Sequence, residues 1–93
     1  MVARAVAAEA PVLVLDDPTS ALDTVTEARL VAQLAAARVG RTTILLTVSP
    51  TVLAACDRVV FVEDGTVVAT GAHPALLANH PGYRSLVAPG DGP

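Results

Sequence analysis

The sequence predicts an α/β fold organised as one small domain. Aliphatic runs typical of buried strands alternate along the chain with segments that have the apolar spacing of helices. An Asp-Gly pair at residues 64–65 lies between two further apolar runs, as in a β-hairpin. The chain has 93 residues and an apolar content of 53%, which is too apolar for a disordered chain and long enough for one domain only.

The first half of the chain contains two continuous aliphatic runs. They are "PVLVLD" at residues 11–16 and "TTILLTV" at residues 42–48. Runs without polar alternation are typical of strands buried on both faces of a parallel sheet, so we expect both strands to be buried in this way. Residues 2–8, "VARAVAA", have the composition of the end of a helix.

A helix is predicted between these two strands. Thr24 and Glu27 have the spacing of a capping box, in which each side chain accepts a hydrogen bond from the backbone N–H of the other residue. The helix is expected to reach about Arg38 and to end before Gly40, a residue type common just past helix C-termini. Three apolar residues share one face and are expected to point inward: Leu30, Val31 and Leu34.

The second half of the chain is predicted to hold short elements. The Ser-Pro pair at residues 49–50 ends the second strand, and a short helix is expected over residues 51–56. Residues 58–70 predict two antiparallel strands joined at the Asp-Gly turn. Residues 74–79 and 83–87 predict two short closing helices, the first with a proline in its first turn.

The composition excludes several functional classes. A net charge of −3 gives no basic surface for binding nucleic acid, and no apolar run has the length of a membrane span. The single cysteine, Cys56, cannot form an internal disulfide and is predicted to be a small apolar core residue. The chain contains no lysine, so a mechanism that needs a lysine on a phosphate requires another segment or another chain.

Two adjacent carboxylates end the first predicted strand. Asp16 and Asp17 lie at the carboxyl end of a parallel strand, where α/β sheets place their ligands. Like charges side by side are unfavourable unless a metal ion, an arginine or bulk water compensates them. From the pair alone, ligand binding and a simple turn before Pro18 are both open.

The residues that follow the pair make the pattern specific. "VLVLDDPTSALD" resembles the Walker B strand and D-loop of the ATP-binding cassette family. Residues 41–73 resemble the next strand, the switch region and the closing hairpin of its nucleotide-binding domain, and residues 74–87 resemble the C-terminal helices of exporter-type members. The resemblance covers the chain from Ala3 to about Val87. It implies the C-terminal part of a P-loop NTPase-like (RecA-like) domain, with a mostly parallel sheet, flanking helices and a closing hairpin.

The resemblance also implies roles for individual residues. Asp16 matches the Walker B aspartate, which holds the magnesium ion of Mg-ATP through water. Magnesium favours oxygen ligands and keeps several waters, so a carboxylate suits this position. Ser20, Ala21, Leu22 and Asp23 match the D-loop, which in the family crosses the interface between two nucleotide sites. Ser20 and Asp23 are therefore expected, with Asp16, to contribute to cofactor binding.

Two positions depart from the pattern of active family members. Asp17 stands where they carry the glutamate that orients the attacking water. Its side chain is one methylene shorter, and a displacement of about 1 Å can slow a reaction on the order of a hundredfold. Val48 stands where they carry the switch histidine, and valine offers no group to the γ-phosphate. The resemblance therefore implies a degenerate catalytic site.

The resemblance implies partners that the 93 residues do not contain. Residues 1–88 are predicted to be the C-terminal portion of a nucleotide-binding domain and residues 89–93 a disordered tail. Neither a GxxxxGK[ST] phosphate loop nor the family's signature sequence is present, so we expect no ATP hydrolysis by the 93-residue chain alone. The implied partners are a transmembrane domain and a second nucleotide-binding domain, at the cytoplasmic face of the cell membrane. Two identical degenerate sites would leave none competent, so we expect a heterodimer.

Two other interpretations are open. The chain is compatible with a truncated, pseudogene-like α/β fragment that has no activity of its own. A receiver-type phosphoacceptor domain also has an acidic pair after an early strand. That class needs a third aspartate at the end of a later strand and a lysine beyond it, whereas Asp57 precedes its strand and lysine is absent.

Overall fold

The computed structural model of the protein describes residues 10–19 and 21–87. In chain order these residues form β1 (Val12–Asp16), α1 (Thr24–Ala37), β2 (Thr42–Leu46), α2 (Pro50–Ala55), β3 (Val59–Glu63), β4 (Thr66–Gly71), α3 (His73–Asn79) and α4 (Pro81–Val87). The predicted α/β class is confirmed. The chain divides into two compact units, unit 1 over residues 1–47 and unit 2 over residues 48–93. The helix predicted at residues 2–8 and the tail at 89–93 lie outside the described residues, and the domain boundary after residue 88 stays a prediction.

Unit 1 contains a pair of parallel strands. β1 pairs with β2 in a register that sets Val12 opposite Thr42 and Asp16 opposite Leu46. Parallel neighbours need a crossover connection, and α1 lies within that connection. The predicted order of strand, helix and parallel strand is confirmed.

The predicted burial of these strands on both faces is wrong for the described residues. Val12 and Val14 are each 56% exposed, and Ile44 and Leu46 are 45% and 51% exposed. Alternate residues on both strands are half-buried. Residues 10–19 and 21–47 form two strands and one helix. A single helix can cover at most one side of the strand pair. One side of the strand pair is therefore an exposed aliphatic surface.

The cap of helix α1 differs from the prediction by one residue. Asp23, not Thr24, is the N-cap, and its carboxylate accepts a hydrogen bond of 2.8 Å from the backbone N–H of Thr26. Glu27 then lies one position too far along the helix to complete a capping box, and its side chain is buried instead. Asp is as good an N-cap as Thr, so the two registers compete in the sequence. The inward face is confirmed, with Val31 and Leu34 buried and Leu30 half-buried.

Arg38 joins the end of α1 to the beginnings of both strands. Its guanidinium donates to the Ala10 carbonyl at 2.7 Å, to the Thr42 carbonyl at 2.9 Å and to Thr43 Oγ1 at 2.7 Å. The side chain is only 3% exposed, and its third nitrogen, Nη1, has no hydrogen-bond partner in the described part of the chain. The chain then turns at Gly40, whose φ of 82° is in the left-handed region that glycine adopts freely.

Unit 2 begins with a short helix and contains the predicted hairpin. Ser49 caps α2, its side chain accepting from the backbone N–H of Val52 at 3.5 Å. β3 and β4 are antiparallel and meet at Asp64 and Gly65, whose φ values are 52° and 75°. Positive φ at both residues is the signature of a type I′ turn, and the hairpin that the Asp-Gly pair predicted is confirmed.

The core of unit 2 is one cluster of buried side chains. Phe61 and Tyr83 pack edge to face with ring centroids 5.5 Å apart, and both are almost fully buried. Cys56 is half-buried and packs against the cluster, as expected of a small apolar residue. The other buried members are Leu53, Val59, Leu76 and Val87. Within residues 10–19 and 21–87, no helix combines the length and apolar character that crossing a bilayer requires.

Candidate functional site

The predicted site begins at the carboxyl end of β1. Asp16 is the last residue of the strand and Asp17 follows it, both with exposed side chains. The backbone N–H of Asp17 donates to the carbonyl of Leu46 at 2.7 Å, so the chain leaves β1 while still bonded to the end of β2. The two carboxylates therefore lie at the edge of the sheet where both parallel strands end, which is where such sheets bind ligands.

Asp17 has an unusual backbone conformation. Its φ of 51° lies in the left-handed region, where aspartate and asparagine are enriched over other residues with side chains. No local pattern predicts this conformation, because Asp17 precedes Pro18 and residues before proline are usually extended. A conformation of this kind persists only where neighbouring contacts hold it, and such residues cluster at functional sites.

The turn after the carboxylates is attached to α1. Thr19 is 3% exposed, and its hydroxyl donates to the Glu27 carboxylate, which is 5% exposed. The Thr19 carbonyl accepts from the backbone N–H of Leu22 at 3.1 Å. Sequence reasoning missed this buried pair, because the capping-box assignment had given Glu27 another partner.

Of the two D-loop residues predicted to contribute to cofactor binding, Ser20 and Asp23, the structure describes only Asp23. Ser20 lies outside the described residues, so its predicted role in cofactor binding stays a prediction. Asp23 is exposed and caps α1. Hydrogen bonds from Thr26, first from its side chain and then from its backbone N–H, lower the pKa of the Asp23 carboxyl below its ordinary value. Asp23 therefore stabilises the start of α1, and its role toward a nucleotide stays a prediction.

Val48 belongs to unit 2, whereas the acidic residues of the predicted site belong to unit 1. It precedes the cap residue Ser49 and is 51% exposed. An exposed valine has no hydrogen-bonding group with which to contact a phosphate. The chemistry of the Val48 side chain is therefore consistent with the predicted loss of the contact between the switch histidine and the γ-phosphate.

The chemistry of the described carboxylates suits magnesium better than a transition metal. No group of three or more His, Cys, Asp or Glu side chains that could hold a metal ion occurs in residues 10–19 and 21–87. Magnesium is commonly bound through one or two carboxylates together with substrate phosphates and water. The exposed carboxylate of Asp16 can serve in that way, with the nucleotide supplying the other oxygens.

Comparison with known proteins gives one consistent relationship. No protein-family model matches the chain. The chain is 39% identical over 85 residues to the ATP-dependent lipid A-core flippase of Salmonella paratyphi A, and 40% identical over 85 residues to the flippase of Cupriavidus pinatubonensis. It is 39% identical over 87 residues to the flippase of Thiobacillus denitrificans. The chain resembles one segment of these flippases.

The match covers almost all of this chain and a small part of each flippase. It includes 91% of the chain and 15% of the Salmonella paratyphi A flippase, and 94% of the chain and 15% of the Thiobacillus denitrificans flippase. The chain therefore spans about one seventh of the length of these curated relatives. Similarity to ATP-dependent flippases supports the predicted origin in an exporter-type ATP-binding cassette protein. The individual roles of Asp16, Asp17, Ser20, Asp23 and Val48 stay predictions.

Proposed function

We propose that the chain is the C-terminal part of the nucleotide-binding domain of an exporter-type ATP-binding cassette transporter. The observation that carries this proposal is the identity of 39% over 85 residues to an ATP-dependent flippase, which extends across the acidic strand end and its turn. The parallel β1–β2 pair and the β3–β4 hairpin are compatible with the mostly parallel sheet and closing hairpin of a P-loop NTPase-like domain.

In the complete domain, Asp16 would hold the magnesium ion of Mg-ATP through water. Bound there, magnesium would neutralise phosphate charge and offset the repulsion between the two adjacent carboxylates. Asp17 lies next to Asp16, where it can accept a hydrogen bond from an attacking water. Its reach is one methylene shorter than that of a glutamate, and Val48 adds no contact to the phosphate. The site therefore binds nucleotide and hydrolyses it slowly.

The partners follow from the same assignment. The 93 residues contain neither a lysine nor a phosphate loop, so the phosphates require groups from other segments. The remaining parts are a transmembrane domain and a second nucleotide-binding domain, working at the cytoplasmic face of the membrane. A different chain as the second domain would supply its own glutamate and histidine and complete one competent site. In such a heterodimer, changing the partner's glutamate to glutamine stops turnover, whereas Asp17→Asn reduces it only slightly.

A segment exchange tests the proposal. The segment of the Salmonella typhimurium flippase that matches this chain over 85 residues is replaced by the corresponding residues of this chain. We expect the hybrid to bind Mg-ATP and to hydrolyse it more slowly than the unmodified flippase, on the order of a hundredfold. The double change Asp17→Glu and Val48→His should restore most of the rate, and Asp16→Asn should remove magnesium-dependent nucleotide binding.

Two results would contradict this assignment. A hybrid as fast as the unmodified flippase would show that Asp17 and Val48 do not weaken the site. A folded, nucleotide-binding hybrid that stays slow after the double change would show that these two positions are not the catalytic ones.

A further inference from the structure

The Thr19–Glu27 pair is a buried polar contact that the proposed function does not use. The two side chains are hydrogen-bonded to each other and are 3% and 5% exposed. A buried carboxylate is unfavourable unless hydrogen bonds or charges compensate it. Glu27 lies in the first turn of α1, where the positive end of the helix dipole also favours its charge. The hydrogen bond from Thr19 and the helix dipole therefore offset the cost of burying the Glu27 carboxylate in unit 1.

The pair attaches the middle of a functional turn to a helix. Thr19 follows the two carboxylates by two residues, and its carbonyl accepts from Leu22, so both its side chain and its backbone are held. At the start of the turn, the N–H of Asp17 is held by Leu46. The left-handed backbone of Asp17 thus lies between two fixed points, one on β2 and one on α1.

We propose that Thr19 and Glu27 are positioning residues, whose buried hydrogen bond fixes the chain after β1, at residues 17–19, on α1 and so holds the Asp17 carboxylate in place beside Asp16. The inference rests on the proposed function, in which these carboxylates face the nucleotide. A left-handed residue with a side chain persists only when surrounding contacts determine it, and the two fixed points provide that determination. Without the pair, the turn is held only where it leaves β1 and where it enters α1, and the Asp17 carboxylate samples several directions.

Hydrogen exchange tests the attachment without any nucleotide. Amide exchange over residues 21–23, which include the Leu22 amide bonded to the Thr19 carbonyl, is measured by mass spectrometry on the dilute 93-residue chain. Thr19→Val keeps the shape and removes the donor, and we expect exchange to speed roughly tenfold, as for the loss of one buried hydrogen bond. Thr19→Ser keeps the donor and should exchange like the unchanged chain. Glu27→Leu against Glu27→Gln gives the same comparison from the other side of the bond, because glutamine keeps an acceptor oxygen.

The amides of Val31 and Leu34 serve as the internal reference, because both residues are buried on α1 away from the turn. Faster exchange at residues 21–23 with unchanged exchange at the reference supports the proposal. Unchanged exchange at residues 21–23, or an equal rise at the reference amides, would overturn it, because the bond would then be irrelevant to the turn or merely part of global stability.

Kinetics separate positioning from binding. In the flippase hybrid that carries Asp17→Glu and Val48→His, Thr19→Val should lower kcat about tenfold and leave the KM for Mg-ATP unchanged, with recovery in Thr19→Ser. A rise in KM at unchanged kcat would contradict a role in placing the carboxylate. If the hybrid hydrolyses no ATP at all, the proposed function fails, and the exchange measurement still decides the role of the pair in holding the turn.

Discussion

His73 Nδ1 and Tyr83 Oη lie 2.7 Å apart and form a buried hydrogen bond between helices α3 and α4. The two rings also pack edge to face, with centroids 5.7 Å apart. Both side chains are less than 10% exposed, so water cannot readily replace either partner. The bond gives the last two helices of unit 2 a specific contact in addition to their apolar packing.

Removing the hydroxyl should therefore destabilise the chain. Tyr83→Phe leaves His73 Nδ1 buried without its partner, and we expect the free energy of unfolding to fall by about 1–3 kcal/mol. The change is measured by urea unfolding. Ser85→Ala, an exposed position on the same helix, is the control and should change the value by at most about 0.5 kcal/mol. Equal values for the two variants would show that the bond contributes nothing.

Alkaline pH should destabilise unit 2. Burial, and secondly the charge of Asp57, raise the pKa of the Cys56 thiol from its ordinary value of 9.0. Burial, and secondly Cys56, raise the pKa of the Tyr83 hydroxyl from 10.0. Raised folded-state pKa values give stability that is fully present below the unfolded values and is lost as the pH rises through the folded ones.

The loss should thus begin near pH 9 and continue above pH 10. Cys56→Ala should remove the earlier part of the loss and Tyr83→Phe the later part, as measured by thermal unfolding against pH. Tyr83 is the single tyrosine of the chain, so tyrosinate absorbance follows it directly. A tyrosinate titration at the ordinary pKa would contradict the prediction.

Substitutions can test whether Asp23 or Thr24 caps α1. Asp23→Ala should lower the thermal unfolding midpoint, because it removes the acceptor for the Thr26 N–H, whereas Asp23→Asn keeps an acceptor and should lower it less. Thr24→Ala should have little effect on the midpoint. A larger effect at Thr24 than at Asp23 would mean that the helix begins one residue later.

The exposed aliphatic side of the β1–β2 pair should cause association. Val14 and Ile44 are register partners and are 56% and 45% exposed, and contiguous apolar patches of this kind promote aggregation. Val14→Thr with Ile44→Thr should raise the concentration at which light scattering detects oligomers, and threonine keeps the preference for strand. Val31→Thr is the matched control in the interior, where the same change should reduce stability instead. Association that persists unchanged in the double variant would place the adhesive surface elsewhere.

The left-handed conformation of Asp17 makes a further prediction. Asp17→Asn should be nearly neutral for stability, since asparagine tolerates this region well. Asp17→Val should lower the free energy of unfolding by about 1–2 kcal/mol, because a branched Cβ is disfavoured there. Both values come from chemical denaturation of the same chain. A neutral Asp17→Val would show that φ at this residue is not fixed.

Local sequence signals predicted the elements well. The Asp64-Gly65 turn and the aliphatic run of β1 identified strands because turn chemistry and period depend on neighbouring residues only. Burial was predicted less well, since the exposure of Val14 depends on which elements cover the sheet. The cap shifted from Thr24 to Asp23 because both residue types cap helices.

The contacts that define the candidate site were not predictable from local pattern. Thr19 and Glu27 are eight residues apart, and their pairing depends on how the turn folds back on α1. The same holds for His73 and Tyr83, which are ten residues apart on different helices. No local pattern indicates the left-handed φ of Asp17 either, because residues before proline are usually extended.

Arg38 has a consequence for the alignment of the two parallel strands. Its three hydrogen bonds are donated to the Ala10 carbonyl just before β1 and to Thr42 and Thr43 at the start of β2. A slip of one residue would shift a strand by about 3.3 Å and turn the Thr43 hydroxyl to the opposite side of the sheet. Ladder bonds alone tolerate such a slip, because every peptide offers the same donor and acceptor. The guanidinium would lose hydrogen bonds in a slipped register, so Arg38 favours the observed alignment of β1 and β2 over misaligned pairings.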